Sequence, residues 1–317
     1  MRLIGLRLAR LVVVSLVVSF FSFLVLDASP TDVAAARAGF NATPEVVAEI
    51  RAEMGLDDPV LVRYVRWLGQ VATGDFGEST VNGVSAWSQV REALPKTLEI
   101  MILAQLMALT IAVPAAIHSA RNPGGLVDRI SSAGAFGFLA LPAYVLGLYL
   151  AWLLGVRLGW LPAVATDIPG FNDDPVENLR QMFLPSLTIA LNLVAAYLRL
   201  LRTDLIDTLQ QDYVLLARAR GFTDRRVLWR HALRPSSLSL LTAVGLNTAG
   251  LIGGALVVEL LYAVPGMGQL TVRSIFSEDF VIVQAAVLLI CLAFVTVNFV
   301  VDVAYALVDP RIRSAGR

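Results

Sequence analysis

Residues Asp212–Pro235 read DYVLLARARGFTDRRVLWRHALRP, a strongly basic stretch set between two runs that carry no charge. Eight arginines and four aspartates lie between Arg199 and Pro235, whereas Met182–Leu198 and Ser236–Val258 hold no charged residue of either sign. Such a segment cannot sit in hydrocarbon, because each ionised side chain at the bilayer centre costs about 3 kcal/mol or more. Within it, Tyr213, Leu216, Arg220 and Gly221–Phe222 alternate with arginines in a pattern that fits two short helices broken at Gly221, the second capped by Thr223 or Asp224. The plainest description is a solvated basic loop between two membrane spans.

The spacing inside the loop is more specific than that. Ala217 is followed four residues later by Gly221 and twelve after that by the hydrophobic Leu233. This resembles the signature of one cytoplasmic loop in the permease subunits of bacterial ABC importers. The general signature has Glu and Ala where this chain has Leu215 and Leu216, and Pro where it has Arg234, with Pro235 one place late. The pieces ARARGF and HALRP are similar to the peptide and nickel branch of that family, where these departures are usual. The resemblance implies that Ala217, Arg218, Ala219, Arg220, Gly221, Phe222, His231 and Leu233 belong to a coupling loop that rests in a cleft of an ATP-hydrolysing subunit.

Composition agrees with a chain built for lipid. Hydrophobic residues make up 57% and charged residues 16% of the 317, with a mean hydropathy of +0.71. A soluble domain would be nearer about a quarter charged, so the chain reads as an all-α integral membrane protein. Six segments reach the roughly 17–25 apolar residues that a span needs: Leu11–Leu26, Ile100–Ile117, Ile130–Val156, Met182–Leu198, Ser236–Val258 and Val281–Val301. The first follows Arg2, Arg7 and Arg10, so a cleavable signal peptide competes with a span there. Its apolar run exceeds the usual h-region of about 7–15 residues and Asp27–Pro30 makes a poor cleavage site, which favours an uncleaved span.

Charge sets the expected orientation. With a cytoplasmic N-terminus, the inner segments Met1–Arg10, Ser119–Arg129, Arg199–Pro235 and Asp302–Arg317 hold 16 basic and 7 acidic residues, and the outer segments 9 and 18. Basic residues concentrate on the cytoplasmic side, so both termini and the basic loop are expected there; the family resemblance implies that the membrane is a bacterial plasma (inner) membrane.

The longest outer segment divides the chain into three parts: residues 1–28 with the first span, an extracytoplasmic insertion over 29–99, and a core membrane domain over 100–317 that includes the loop 199–235. In the insertion, Thr43 caps a helix opened by Pro44 and Glu45 and stopped near Gly55, and Pro59 opens a second. Val47, Ile50 and Met54 share one helical face, as do Leu61, Tyr64 and Leu68, so the insertion is expected to fold back onto the membrane domain. GLDDP, RYVRWLG and GDFGES resemble the matching outer segment of peptide permeases. A cap that contacts an external substrate-binding protein is expected, with simple structural cover as the alternative.

Two further stretches carry the resemblance. Glu259–Gly268, ELLYAVPGMG, is similar to the turn leaving the fifth span of peptide permeases, and Pro265 with Gly266 should end a helix there. Glu259, at the edge of an apolar run, faces either a watery path or the interface at the helix end. The C-terminal DVAYALVDPRIR also matches, with Asp302, Asp309 and Arg311 closing the inner end of the last helix. Polar residues inside the spans, Asn192, Asn247, Thr248 and Asn298, are candidates for the translocation path together with Glu259, or equally for hydrogen bonds between helices.

The residues point away from chemistry on this chain. A phosphate-binding loop needs Gly, Lys and Ser or Thr in sequence, and the only lysine, Lys96, follows Pro95. His118 and His231 lie far apart with no ligand-spaced neighbour, so no metal is expected. Cys291 is a lone cysteine in an apolar run, suited to packing. The aspartates that balance the loop's arginines argue against nucleic acid.

The family resemblance implies a type I ABC importer transmembrane domain. Its partners would be a second, homologous permease subunit, two cytoplasmic ATPase domains that use ATP and Mg, an extracytoplasmic substrate-binding protein and the lipid membrane. Peptides are the expected solute, with nickel, haem, glutathione or sugar as alternatives within the class. A secondary transporter would show inverted repeats with broken helices, and a membrane enzyme a cluster of catalytic side chains; neither pattern is seen in the sequence.

Overall fold

A helix that begins well before its apolar run and ends well beyond it, Pro175–Leu209, is the element around which its neighbours pack. The structure, a computed structural model, describes residues 2–27, 34, 38, 42–53 and 55–308, with side chains described except for 2–11, 25–27, 249, 252, 254 and 302–308. In chain order the described helices are α1 (Arg2–Asp27), α2 (Pro44–Glu53), α3 (Val60–Ala72), α4 (Ala86–Arg121), α5 (Leu126–Ala140) and α6 (Ala143–Leu150). They continue with α7 (Pro175–Leu209), α8 (Asp212–Ala219), α9 (Leu233–Tyr262), α10 (Met267–Phe276) and α11 (Phe280–Val308). A π-helical segment, Ala151–Arg157, prolongs α6, and another, Val227–Ala232, leads into α9. The fold is all-α. Among the described residues α4, α7 and α11 are long and apolar enough to cross a membrane singly.

The chain divides into two compact units, one made of 1–97 and 265–299, the other of 98–264 and 300–317. In the first, α2 and α3 start where the sequence places them. The Val47 N–H donates to the Thr43 carbonyl at 3.1 Å, Gly55 takes a φ of +60°, and Pro59 stands at the cap of α3. Tyr64 is buried against α1: its hydroxyl donates to the Leu16 carbonyl at 3.0 Å and lies 2.7 Å from Ser19 Oγ, with its ring against Phe20 and Phe23. Leu61 does not join it and is 64% exposed, and Val47 and Ile50 are half-buried; Met54 lies outside the described residues. The packing of α3 on α1 thus rests on Tyr64, with the Trp67 ring and the Arg63 guanidinium also against Phe23, rather than on two apolar faces. Further along, Ser79 Oγ donates to the buried Asp279 carboxylate just ahead of α11, and Val90, Ala93, Met267 and Ala286 form a small core. The Met267 N–H donates to Thr97 Oγ1 at 2.8 Å, which caps the start of α10.

In the second unit α4 buries Ile100 and then, four apart, Ala104, Ala108, Ala112 and Ala116, small side chains that let a neighbour approach closely. α7 is N-capped by Asp174, which accepts from the Val176 and Glu177 N–H groups at 3.1 and 3.0 Å. The expected span 130–156 is not one helix: it breaks after Ala140, and the two halves are bent by 108°. Pro142 is the cause. It has no N–H and drives Leu141 before it into an extended conformation, with ψ at 130°.

α9 is fastened to its neighbours at three levels. At one end Ser236 Oγ donates to the Asp204 carbonyl at 3.1 Å and lies 3.0 Å from Thr208 Oγ1 on α7. In the middle Thr248 Oγ1 accepts from Gln105 Nε2. At the other end the buried Tyr262 hydroxyl donates to the Gly147 carbonyl at 2.9 Å and lies 2.8 Å from Thr188 Oγ1. Ala263 then ends the helix in the left-handed conformation, φ +55°, with the Val264 and Ala263 N–H groups returning to the Glu259 and Leu260 carbonyls. The Pro265–Gly266 pair therefore comes after the reversal; Ala263 makes it. Asp302 is in the final helix with its side chain undescribed, and Asp309 and Arg311 lie outside the described residues.

Candidate functional site

The basic segment folds as a tight reversal. α8 buries Val214 and Ala217 against Val227, with Leu209 and Phe222 packed around them. The helix stops at a glycine: Gly221 has φ +80°, its N–H donates to the Arg218 carbonyl at 2.9 Å, and the Phe222 N–H donates to the Ala217 carbonyl at 3.3 Å. This left-handed turn is open to residues without a Cβ at little cost and costs others about 1–2 kcal/mol. Thr223 caps the next helical turn, its hydroxyl accepting from the Arg226 N–H at 3.4 Å, as the sequence suggests. The second piece is not a separate short helix, however. It runs through the one-turn Asp224–Arg226 and the π-helical segment directly into α9, so the loop's returning limb is continuous with a long apolar helix.

Phe222 is the hinge pin of the reversal. The Arg226 guanidinium stands 4.7 Å from its ring centroid and the His231 imidazole stacks on it at 5.7 Å with a 16° interplanar angle. The outer face carries Tyr213, Leu215, Leu216 and Trp229, each about half exposed, among the arginines. An open recess of about 370 Å³ is lined by Thr223, Arg225, Arg226 and Trp229. Of the residues singled out in the sequence, Arg218, Ala219, Arg220 and Gly221 are exposed, Phe222, His231 and Leu233 half-buried, and Ala217 buried. Ala217 thus shapes the reversal from inside, while Arg218 reaches Asp224 at 3.8 Å.

Beside this segment, α7 carries a part-buried ion pair that the sequence does not reveal. Arg202 Nε donates to Asp128 Oδ1 at 2.5 Å and its Nη2 to Oδ2 at 2.8 Å, and the Gly124 N–H adds a bond to Oδ2 at 2.8 Å. The guanidinium bonds hold the Asp128 carboxyl far below its usual range, down to about 2, against the opposing effect of burial, and the Arg202 guanidinium is raised in turn. The only hint in the sequence is a lone Asp in an otherwise basic connection.

Asn247 and Asn298 donate back to carbonyls one turn earlier, those of Ala243 and Phe294. Thr248 belongs to a network with Gln105, whose Oε1 accepts from the Tyr197 hydroxyl at 2.9 Å. Asn192 Nδ2 is buried and, among the described residues, without a hydrogen-bond partner. Glu259 is fully buried one turn before the end of α9. Gln105 and Tyr197 were not anticipated, although Gln105 is the one amide in the apolar run 100–117. Among the described residues no group of three His, Cys, Asp or Glu side chains is placed to hold a metal ion.

Residues 108–314 match the family described as binding-protein-dependent transport system inner membrane component, and residues 1–101 match its N-terminal companion. The chain belongs to this family. Among its curated relatives, the probable peptide ABC transporter permease protein y4tP of Sinorhizobium fredii is 33% identical over 97% of both chains. The oligopeptide transport system permease protein AppB of Bacillus subtilis is 33% identical over 93% of this chain and 94% of its own. The glutathione transport system permease protein GsiC of Salmonella paratyphi A is 35% identical over 97% of both. A solved inward-facing structure of the MetNI methionine ABC transporter shares the fold, with a TM-score of 0.57 at 14% identity over 70% of this chain and 96% of that one. As an inner membrane component of such a system, the chain is a membrane protein whose fold is that of an ABC importer permease.

Proposed function

We propose that the chain is the permease subunit of an ATP-driven, binding-protein-dependent ABC importer for di- or oligopeptides. The observation that carries this is the basic segment 212–235: a folded reversal rather than a solvated loop, with an exposed apolar and arginine-rich face and a returning limb continuous with α9. A lever of this kind transmits motion from whatever docks on it. In this reading it rests on one of two cytoplasmic ATPase domains, which bind ATP and Mg, and residues 218–222 with His231 and Leu233 form or support the docking surface. Nucleotide biases a two-state arrangement of the spans, and the solute adds its share through contacts that differ between the states.

The chain crosses a bacterial inner membrane six times in this reading, with both termini in the cytoplasm as the arginine distribution requires. Residues 29–99 form the extracytoplasmic insertion that meets the solute-binding protein, and 100–317 the core domain. The path lies between this chain and a second homologous permease, with Asn192, Asn247, Thr248, Glu259 and Asn298 as its candidate polar lining when the spans rearrange. Peptide is favoured because two of the relatives named above are peptide or oligopeptide permeases. Glutathione, a short peptide itself, is the second reading, since a relative of similar identity is named for it.

The test is binding-protein-stimulated ATP hydrolysis by the full complex in nanodiscs, assembled with and without this chain. Stimulation by peptide-loaded binding protein that requires the chain supports the reading. Stimulation by glutathione-loaded but not oligopeptide-loaded protein selects the second solute, and no stimulation by any loaded binding protein contradicts both.

A further inference from the structure

Within two turns near its C-terminal end, α7 is gripped on two sides. On one, Arg202 makes the forked pair with Asp128 in the first turn of α5, whose carboxylate also accepts from the Gly124 N–H. On the other, the Asp204 carbonyl and Thr208 hydroxyl bond Ser236, where the basic segment passes into α9. The connection around residues 119–131 is itself closed, with Ser119 Oγ 2.9 Å from Ser131 Oγ. The Asp128 side chain is only 6% exposed and that of Arg202 27%.

A two-bond guanidinium–carboxylate fork fixes distance and orientation together, which a single hydrogen bond does not. Because the Asp128 carboxylate is buried, removing Arg202 leaves it a charge with little water to solvate it, whereas the partly exposed Arg202 guanidinium keeps some. Such a pair resists sliding of α7 along α5. Apolar contacts resist such sliding less, because they have no directional requirement, and the Arg199 guanidinium 6.0 Å from the Phe136 ring centroid adds only a weakly directional contact between the same two helices. The pair also sits at the end of α5 remote from its break at Leu141–Pro142, so that displacement of the first turn is carried along α5 to the bend.

We propose that Asp128 and Arg202 form a positioning latch that makes α5 and the connection before it move as one body with α7 and the basic segment, so that closure of the ATPase subunits is delivered to the spans. Neither residue touches the solute. The inference rests on the importer reading given above, and it assigns to the connection 119–129 a part in coupling that the docking loop alone does not supply.

The test uses the complete reconstituted transporter in proteoliposomes, comparing wild type with Asp128→Asn, Arg202→Gln and the charge-exchanged pair Asp128→Arg with Arg202→Asp. The readout is peptide taken up per ATP hydrolysed, with the thermal midpoint of each complex measured alongside. The latch predicts that each single variant still hydrolyses ATP but loses at least about five-fold in uptake per ATP, and that the exchanged pair recovers most of that loss. A brace that only holds the fold together would lower the thermal midpoint and leave the ratio of the surviving complex unchanged; that result overturns the proposal. So does a loss in the single variants that the exchanged pair fails to recover, since charge pairing would then not be the cause. If wild type itself shows no ATP-driven uptake, the importer reading falls and the latch with it, whereas failure of the variants alone to change the ratio leaves that reading standing.

Discussion

Tyr197 on α7 donates its hydroxyl proton to Gln105 on α4, 92 residues away in sequence, and Gln105 passes the chain of hydrogen bonds on to Thr248 on α9. One amide thus joins three helices inside an apolar layer, using its acceptor toward one helix and its donor toward another. In hydrocarbon neither group has water as an alternative.

Tyr197→Phe should therefore leave Gln105 Oε1 without its donor and cost about 1 kcal/mol of stability. Gln105→Leu should cost more, about 2 kcal/mol, because it removes at once the bonds to the Tyr197 hydroxyl, to Thr248 and to the Val244 carbonyl. Unfolding of the purified chain by SDS titration in mixed micelles measures both. Equal stability of the three proteins would show that the network is incidental.

The Asp128 carboxyl gives a pH signature. Its folded value of about 2 lies below its ordinary 3.8, so its stabilisation is complete above about pH 4 and lost as pH falls toward 2. The shift corresponds to about 2 kcal/mol. Asp128→Asn should be less stable than wild type by about that much at pH 7, and the gap should narrow steadily on acidification below pH 4. A gap independent of pH would mean that the carboxylate's charge contributes nothing.

Ala263 holds a left-handed conformation at the end of α9 with a side chain that does not favour it. Ala263→Gly should raise stability by up to about 1 kcal/mol, the relief of the Cβ clash being partly offset by the greater freedom of glycine in the unfolded chain. Thermal unfolding of the variant checks this, with transport expected to stay at the wild-type level.

Ser79 fixes the segment 74–85. Its hydroxyl donates to Asp279 while accepting from the Asn82 N–H at 3.0 Å. Ser79→Ala should cost about 2 kcal/mol, as expected for a bond to a charged group, and should speed limited proteolysis between residues 74 and 85. Unchanged cleavage would place the stability of that segment elsewhere.

What could be read from the sequence were features written locally. The cap at Thr223, the reversal at Gly221 and the helix starts at Pro44 and Pro59 depend on residues a few positions apart, and each appears in the structure. Pro142 was equally local, but a test of apolar length cannot see that a proline divides a run it leaves apolar. Ala263 eluded the reading because a left-handed alanine has no compositional mark, and the neighbouring Pro265–Gly266 pair drew the assignment two residues on. The Asp128–Arg202 and Gln105–Tyr197 pairs join residues 74 and 92 positions apart. No periodicity relates such positions, and only helix packing brings them together. For the candidate path residues the sequence offers polarity alone, and polarity does not tell a lining side chain from one that bonds its own helix, as Asn247 and Asn298 do here.

The central claim is that the basic segment couples this chain to ATP hydrolysis, and peptide uptake into proteoliposomes by wild type and by Gly221→Asp tests it most directly. Gly221 has open space around it and a φ of +80°, so an aspartate there strains the reversal and sets a negative charge on its exposed face. The account predicts ATP-dependent uptake by wild type, and normal insertion with uptake and stimulated hydrolysis both lost in the variant. Uptake without ATP, or a variant that transports as wild type does, would contradict it.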